Sequence, residues 1–122
     1  MKIILSHSTK LPWKEEVYNA LRNSSLGKEN EIFFPQEKGT EEKITKDLIK
    51  ESDVILAEVS YPSTGQGIEL GWANIFNIPI ICFYKEGNKI SNSLKYVTDT
   101  FVVYTSMDDM IQKIYREINI SF

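Results

Sequence analysis

Residues 62–71 (PSTGQGIELG) place a carboxylate, two small hydroxyls and three glycines at a junction between an apolar run and a helical pattern. Glu69 falls in what the pattern predicts to be the first turn of that helix. There the helix dipole and free N–H groups favour an ionised carboxylate, and an ionised carboxylate facing a substrate is a nucleophile. The plain alternative is that glutamate is common in first turns. Ser63, Gly65 and Gly67 leave backbone N–H groups open to an anion or a sugar, and glycine lets a ligand approach the backbone closely. The stretch is not a dinucleotide fingerprint, because Leu70 stands where the third glycine would be. It is not a P-loop either, since no Gly-Lys-Ser/Thr follows. The one histidine, His7, closes the first apolar run and titrates near neutrality. It can protonate a leaving group, or serve as a hydrogen-bonded loop residue. Ser6, Ser8 and Lys10 flank it. Lys10 is either an anion contact or a solvated lysine.

The elements that must position these groups alternate in kind. Apolar runs at 2–5, 32–34, 54–59, 79–84 and 101–104 predict five strands. Val54 to Val59 is apolar except at Glu58, as in a central strand covered on both faces. Between the strands, Trp13, Val17, Ala20 and Leu21 mark a helix over 12–23 opened by Pro12. Ile44, Leu48 and Ile49 mark a second helix capped by Thr40, and 68–76 a third ended by Asn77. Ser106 caps the last helix, with Asp109 three residues on and an apolar stripe from Met107 to Ile118. This alternation predicts an α/β domain over residues 1–122, a flavodoxin-like doubly wound parallel sheet in the order 2-1-3-4-5 with helices on both faces. In that order ligands bind beyond the carboxyl ends of strands one and three. Residues 6–10 and 60–67 should therefore share one crevice.

Composition narrows the chemistry further. The 122 residues carry a net charge of −3, which argues against a phosphate-tracking surface for nucleic acid. One cysteine, Cys82, excludes a disulfide framework, and one histidine excludes a poly-histidine zinc site. No metal or other cofactor is expected. The longest apolar runs are far shorter than the ~20 residues of a membrane span, and the run at 2–5 is too short for a signal sequence. The expectation is a cytoplasmic protein acting on a small molecule. Glu58, polar within a buried run, needs partners: it either fixes the following loop or lines the pocket, and the structural role is preferred. Cys82 reads as a small core residue, Trp13 as core packing, Trp72 as a residue for a subunit interface, and 41–43 as a solvated helix face.

Residues 52–73 (SDVILAEVSYPSTGQGIELGWA) resemble the signature of the nucleoside 2-deoxyribosyltransferase family, especially its branch of 2′-deoxynucleoside 5′-monophosphate N-hydrolases. The resemblance implies a flavodoxin-like domain assembled as homodimers or larger homo-oligomers. It implies cleavage, or base exchange, at the N-glycosidic bond of a nucleoside or nucleotide. Glu69 matches the glutamate that attacks the sugar C1′ to form a glycosyl-enzyme. Ser63 matches a serine that binds sugar or 5′-phosphate, and Ser91 the place where a neighbouring subunit completes the pocket. A chain of this length has little room for a lid, which favours a pocket closed by a second subunit.

Two positions depart from the family pattern. Thr45 stands where an aspartate usually orients the sugar or handles the proton of the leaving base, and Ile3 where a tyrosine often lies near the glutamate. Asp47 is about 200° round a helix from Thr45 and cannot substitute. His7 is the remaining candidate to protonate a departing purine or pyrimidine. The alternative function is a nucleotide-binding module of the same fold with impaired turnover.

Overall fold

The computed structural model describes residues 1–37 and 43–122. Side chains alternate along each inner strand, and this builds two cores. Strand β1 (Lys2–His7) sends Ile3 and Leu5 to one face and Ile4 to the other. Strand β3 (Val54–Glu58) divides Val54 and Leu56 from Ile55 and Ala57. Strand β4 (Ile80–Lys85) divides Ile81 and Phe83 from Ile80 and Cys82. With β2 (Glu31–Phe33) and β5 (Phe101–Tyr104) they form one five-stranded sheet, all parallel, in the order β2-β1-β3-β4-β5. The expected order holds.

Helices α1 (Lys14–Asn23) and α5 (Met107–Ser121) cover the first face, supplying Val17, Tyr18, Leu21, Met110, Ile114 and Ile118. A short α2 (Ser25–Glu29) follows α1 and adds Leu26. The other face is closed by α3 (Lys46–Lys50) and α4 (Thr64–Ile75) through Ile49, Leu70 and Ala73. Leu5, Leu56 and Phe83 are wholly shielded from water, each worth about 1.5–3 kcal/mol of transfer free energy. Cys82 is a core residue, and burial pushes its thiol up to about 12.

Helix boundaries correct the sequence reading in three places. The second helix is α3, capped not by Thr40 but by Thr45, whose Oγ1 accepts from Leu48 N–H at 3.1 Å. Thr40, Glu41 and Glu42 lie outside the described residues. The first helix starts at Lys14, two residues after Pro12. Most consequentially, α4 starts at Thr64 rather than Ile68. Its far end is as expected. Asn77 takes a left-handed φ of 59°, and Asn77 and Ile78 N–H return to the carbonyls of Asn74 and Ala73. At α5, Ser106 accepts from Asp109 N–H at 3.1 Å, while Asp109 reaches back to Thr105 N–H at 2.9 Å. No helix among the described residues is long and apolar enough to cross a membrane.

Candidate active site

The parallel register sets His7 of β1 opposite Glu58 of β3 at the carboxyl ends of the two strands. A hollow of about 570 Å³ opens beyond them. The strand ends and α4 supply His7, Ser63, Gly65, Gln66 and Glu69. Thr9 and Lys14 come from the β1–α1 side, and Pro35, Gln36, Lys43 and Ile44 from the β2–α3 side.

Glu69 is the sixth residue of α4, so it stands beyond the first turn, and the helix start does not hold it ionised as the sequence had suggested. Burial pushes its carboxyl above the usual 4.5. Opposing that, Ser6 Oγ donates a hydrogen bond to Glu69 Oε1 at 2.9 Å. Ser6 itself is fully buried in β1. Among the described residues no donor meets Oε2, which is the oxygen left to act. A carboxylate made more basic by burial, fixed at one oxygen and open at the other, is suited to attack an electrophilic carbon.

His7 lines the same hollow, but both ring nitrogens are engaged. Nδ1 lies 2.8 Å from the Ser8 carbonyl and Nε2 lies 2.7 Å from the Tyr18 hydroxyl. A carbonyl can only accept, so Nδ1 carries the proton and Nε2 accepts from Tyr18. The Tyr18 oxygen in turn accepts from Gln36 N–H at 3.1 Å. Burial lowers the His7 pKa below 6.5, and nearby Lys14 lowers it further against the Ser8 bond. Tyr18 is pushed up to about 12, mainly by burial. The arrangement stores a neutral imidazole whose single N–H is already committed. It braces β1, α1 and the segment after β2 together.

The other expected residues divide. Ser8 is buried and its Oγ accepts from Lys10 N–H at 3.1 Å, which shapes the turn. Lys10 is exposed and does not line the hollow; Lys14, the first residue of α1 and missed from sequence, does. Ser63 caps α4 by accepting from Gln66 N–H at 3.4 Å. Gly65 and Gly67 both lie in the opening turns of α4, and a Cβ at either would meet nothing among the described residues within 4 Å. Gly65 borders the hollow of Glu69. Gly67 and Ser91 border a second hollow of about 360 Å³ on the other side of the α4 start, with Ser63 and Gln66 shared between the two. Ser91 Oγ is 2.9 Å from Ser93 Oγ.

Glu58 takes the structural role. Its carboxylate accepts from Ser60 N–H at 2.6 Å, from Ser60 Oγ at 2.8 Å and from the Tyr104 hydroxyl. Tyr104 accepts from Trp13 Nε1–H at 2.7 Å, and Ser60 Oγ from Lys85 N–H at 2.9 Å. Burial raises the Glu58 pKa, and these donors oppose the rise. Such a chain of buried donors ties β3, β4, β5 and α1 around the loop that leads into α4. Trp13 is thus half-buried and hydrogen-bonded, and Trp72 packs against the second core with Lys46 Nζ 5.6 Å from its ring.

Comparison with known proteins agrees with this fold. The chain matches no protein-family model. It is 32% identical over 93 residues to a 5-hydroxymethyl-dUMP N-hydrolase of Branchiostoma floridae, covering 70% of this chain and 89% of that one. It is 31% identical over 99 residues to a Methanosarcina mazei protein named for 2′-deoxynucleoside 5′-phosphate N-hydrolase activity, covering 75% of this chain. The match spans only 60% of that protein's length, and 53% of a 5-hydroxymethyl-dUMP N-hydrolase of Tetraodon nigroviridis. Among solved structures, a CMP N-glycosidase of Clostridium botulinum shares the fold with a TM-score of 0.70 at 21% identity, over 96% of this chain and 99% of that one. A 2-deoxyribosyltransferase of Bacillus psychrosaccharolyticus shares it at 0.64 and 19% identity, over 90% of each chain. Fold and site define a flavodoxin-like α/β protein with a carboxylate at the strand switch point. The chain belongs to the family of the 5-hydroxymethyl-dUMP and 2′-deoxynucleoside 5′-phosphate N-hydrolases.

Proposed function

We propose that this chain cleaves the N-glycosidic bond of a nucleoside 5′-monophosphate, with Glu69 as nucleophile. The observation that carries the reading is Glu69 itself, held at Oε1 by Ser6 and open at Oε2 to the hollow. In the first step Oε2 bonds to C1′ while the C1′–N bond breaks. The base leaves with the electron pair and takes a proton from water, since the one N–H of His7 is spent on Ser8. In the second step water attacks C1′, the ester to Glu69 breaks, and the water's surplus proton passes to solvent. Two lower barriers replace one high barrier. Hydrolysis is favoured over base exchange because the curated relatives are named as N-hydrolases.

Ser63 and the start of α4 suit the 5′-phosphate, with Lys14 and Lys43 lending positive charge at the rim. Pro35 and Ile44 offer apolar surface to the base. Ser91, set on the second hollow, fits a role in completing a neighbour's pocket within a homodimer. A free nucleotide substrate fits work in the cytoplasm.

The test is a panel of ribo- and deoxynucleosides and their 5′-monophosphates, with released base followed by chromatography. Release by the wild type and none by Glu69→Ala supports the reading. No release from any substrate overturns it. In that case nucleotide binding detected by calorimetry, and retained in Glu69→Ala, identifies a binding module instead.

A further inference from the structure

Gln66 is the third residue of α4 and is 95% buried, with 5% of its surface exposed, yet it borders the hollow that holds Glu69. Its Nε2–H donates to the backbone carbonyl of Glu58 at 2.9 Å. That carbonyl can only accept, so the amide cannot be turned round: its NH₂ faces β3 and its oxygen faces away. No donor among the described residues meets Gln66 Oε1. No buried side-chain polar atom in the described structure lacks a partner, so Oε1 is open to solvent rather than sealed in the core. Gln66 and Glu69 are three residues apart on one helix and therefore neighbours on one side of it.

The capping-box spacing of Ser63 and Gln66 gives the amide a second possible use, which it does not take. In that motif the glutamine would reach back to the cap's own N–H. Here it is held by the last residue of β3 instead, a residue anchored through its carboxylate to Ser60 and Tyr104. A rigid strand therefore fixes the amide of a residue one helix turn before the proposed nucleophile, on the wall shared by the two hollows. A bare amide oxygen repels a phosphate and has nothing to offer an apolar base face, but it matches a hydroxyl donor.

We propose that Gln66 Oε1 accepts a hydrogen bond from a ring hydroxyl of the substrate sugar and so positions C1′ over Glu69. This rests on the N-glycosidase reading and adds the part of the substrate that Gln66 recognises. It makes Gln66 a positioning residue rather than a catalytic one.

The experiment pairs variants with substrate analogues. Wild type, Gln66→Leu and Gln66→Met are assayed on the best nucleotide substrate and on analogues lacking each ring hydroxyl in turn, with thermal melts to confirm folding. Loss of a neutral hydrogen bond with the substrate's hydroxyl donor left unmet predicts about a tenfold or greater fall in kcat/KM for the variants on the full substrate. On the analogue lacking the recognised hydroxyl, wild type should fall to the level of the variants and the variants should lose little more. Equal variant losses on every substrate would mean that Gln66 only supports the fold, and would overturn the inference. If Gln66→Leu does not fold, Gln66→Met and the wild-type analogue series still decide. Failure of the wild type to release base from any substrate overturns the reaction itself and this inference with it. Release with no hydroxyl-specific loss overturns the inference alone.

Discussion

Ser6 and Glu69 are joined by a 2.9 Å hydrogen bond from the Ser6 hydroxyl to Glu69 Oε1, across the seam between β1 and α4. The bond favours the ionised carboxylate, whereas burial disfavours it. Activity that needs ionised Glu69 should therefore rise with pH along an acidic limb centred above the ordinary carboxyl value of 4.5. Ser6→Ala should move that limb to still higher pH and lower kcat/KM by about tenfold, the scale of one hydrogen bond to a charged group. The kcat/KM–pH profile of base release measures both. A limb that stays put, or moves down, contradicts the assignment.

Gly65 separates space needed by the fold from space needed by a ligand. A Cβ there meets no atom of the described residues within 4 Å, and alanine is the better helix former by up to about 1 kcal/mol. Gly65→Ala should melt at the same or a higher temperature yet lose nucleotide affinity, read by calorimetry with the preferred monophosphate. Unchanged affinity would show that the substrate keeps clear of this turn.

His7 should make stability depend on pH. Its folded pKa lies below 6.5, so the unfolded chain binds the proton more readily. The stability it contributes is present above pH 6.5 and is lost as pH falls from there through the lowered folded value. Urea midpoints taken at steps from pH 8 to 5 should decline across that window for the wild type. For His7→Gln the decline over the same window should be shallower. Parallel slopes would show that other groups govern the acid response.

Tyr104 should matter to stability out of proportion to one hydroxyl. Tyr104→Phe removes a donor from Glu58 and leaves the Trp13 indole N–H without its acceptor. Chemical denaturation should show a loss of about 1–3 kcal/mol. A change within a few tenths would mean that solvent replaces the hydroxyl at little cost.

The strand order was legible because the apolar runs at 2–5, 54–59 and 79–84 leave few other ways to bury two faces. The place of Glu69 near the β1–β3 switch point follows from the same pattern. What the sequence reading missed is local. Gly65 and Gly67 read as loop because glycine is a poor helix former, although the Ser63–Gln66 spacing is a helix-start signal that would have moved α4 to its true beginning. That shift of four residues takes Glu69 out of reach of the helix start and leaves burial and Ser6 to set its ionisation. From sequence Thr45 reads only as the absence of an aspartate, whereas in the structure it caps α3. The engagement of His7 by Tyr18, and of Glu58 by Tyr104 and Trp13, could not be read at all. Each pair joins residues from different elements, and no periodicity marks them.

The direct pairing of β1 with β3 has a consequence for the order in which the molecule comes into being. Ser6 and Glu69 are 63 residues apart in the chain. A polypeptide emerging from its N-terminus therefore presents β1 with one edge unsatisfied until β3 arrives to pair with it. Neither wall of the hollow has any meaning before that closure, so the capacity to hold a nucleotide is gained together with the long-range sheet contacts rather than ahead of them. A nucleotide offered during refolding should accordingly stabilise the finished fold while leaving the rate of the first collapse unchanged.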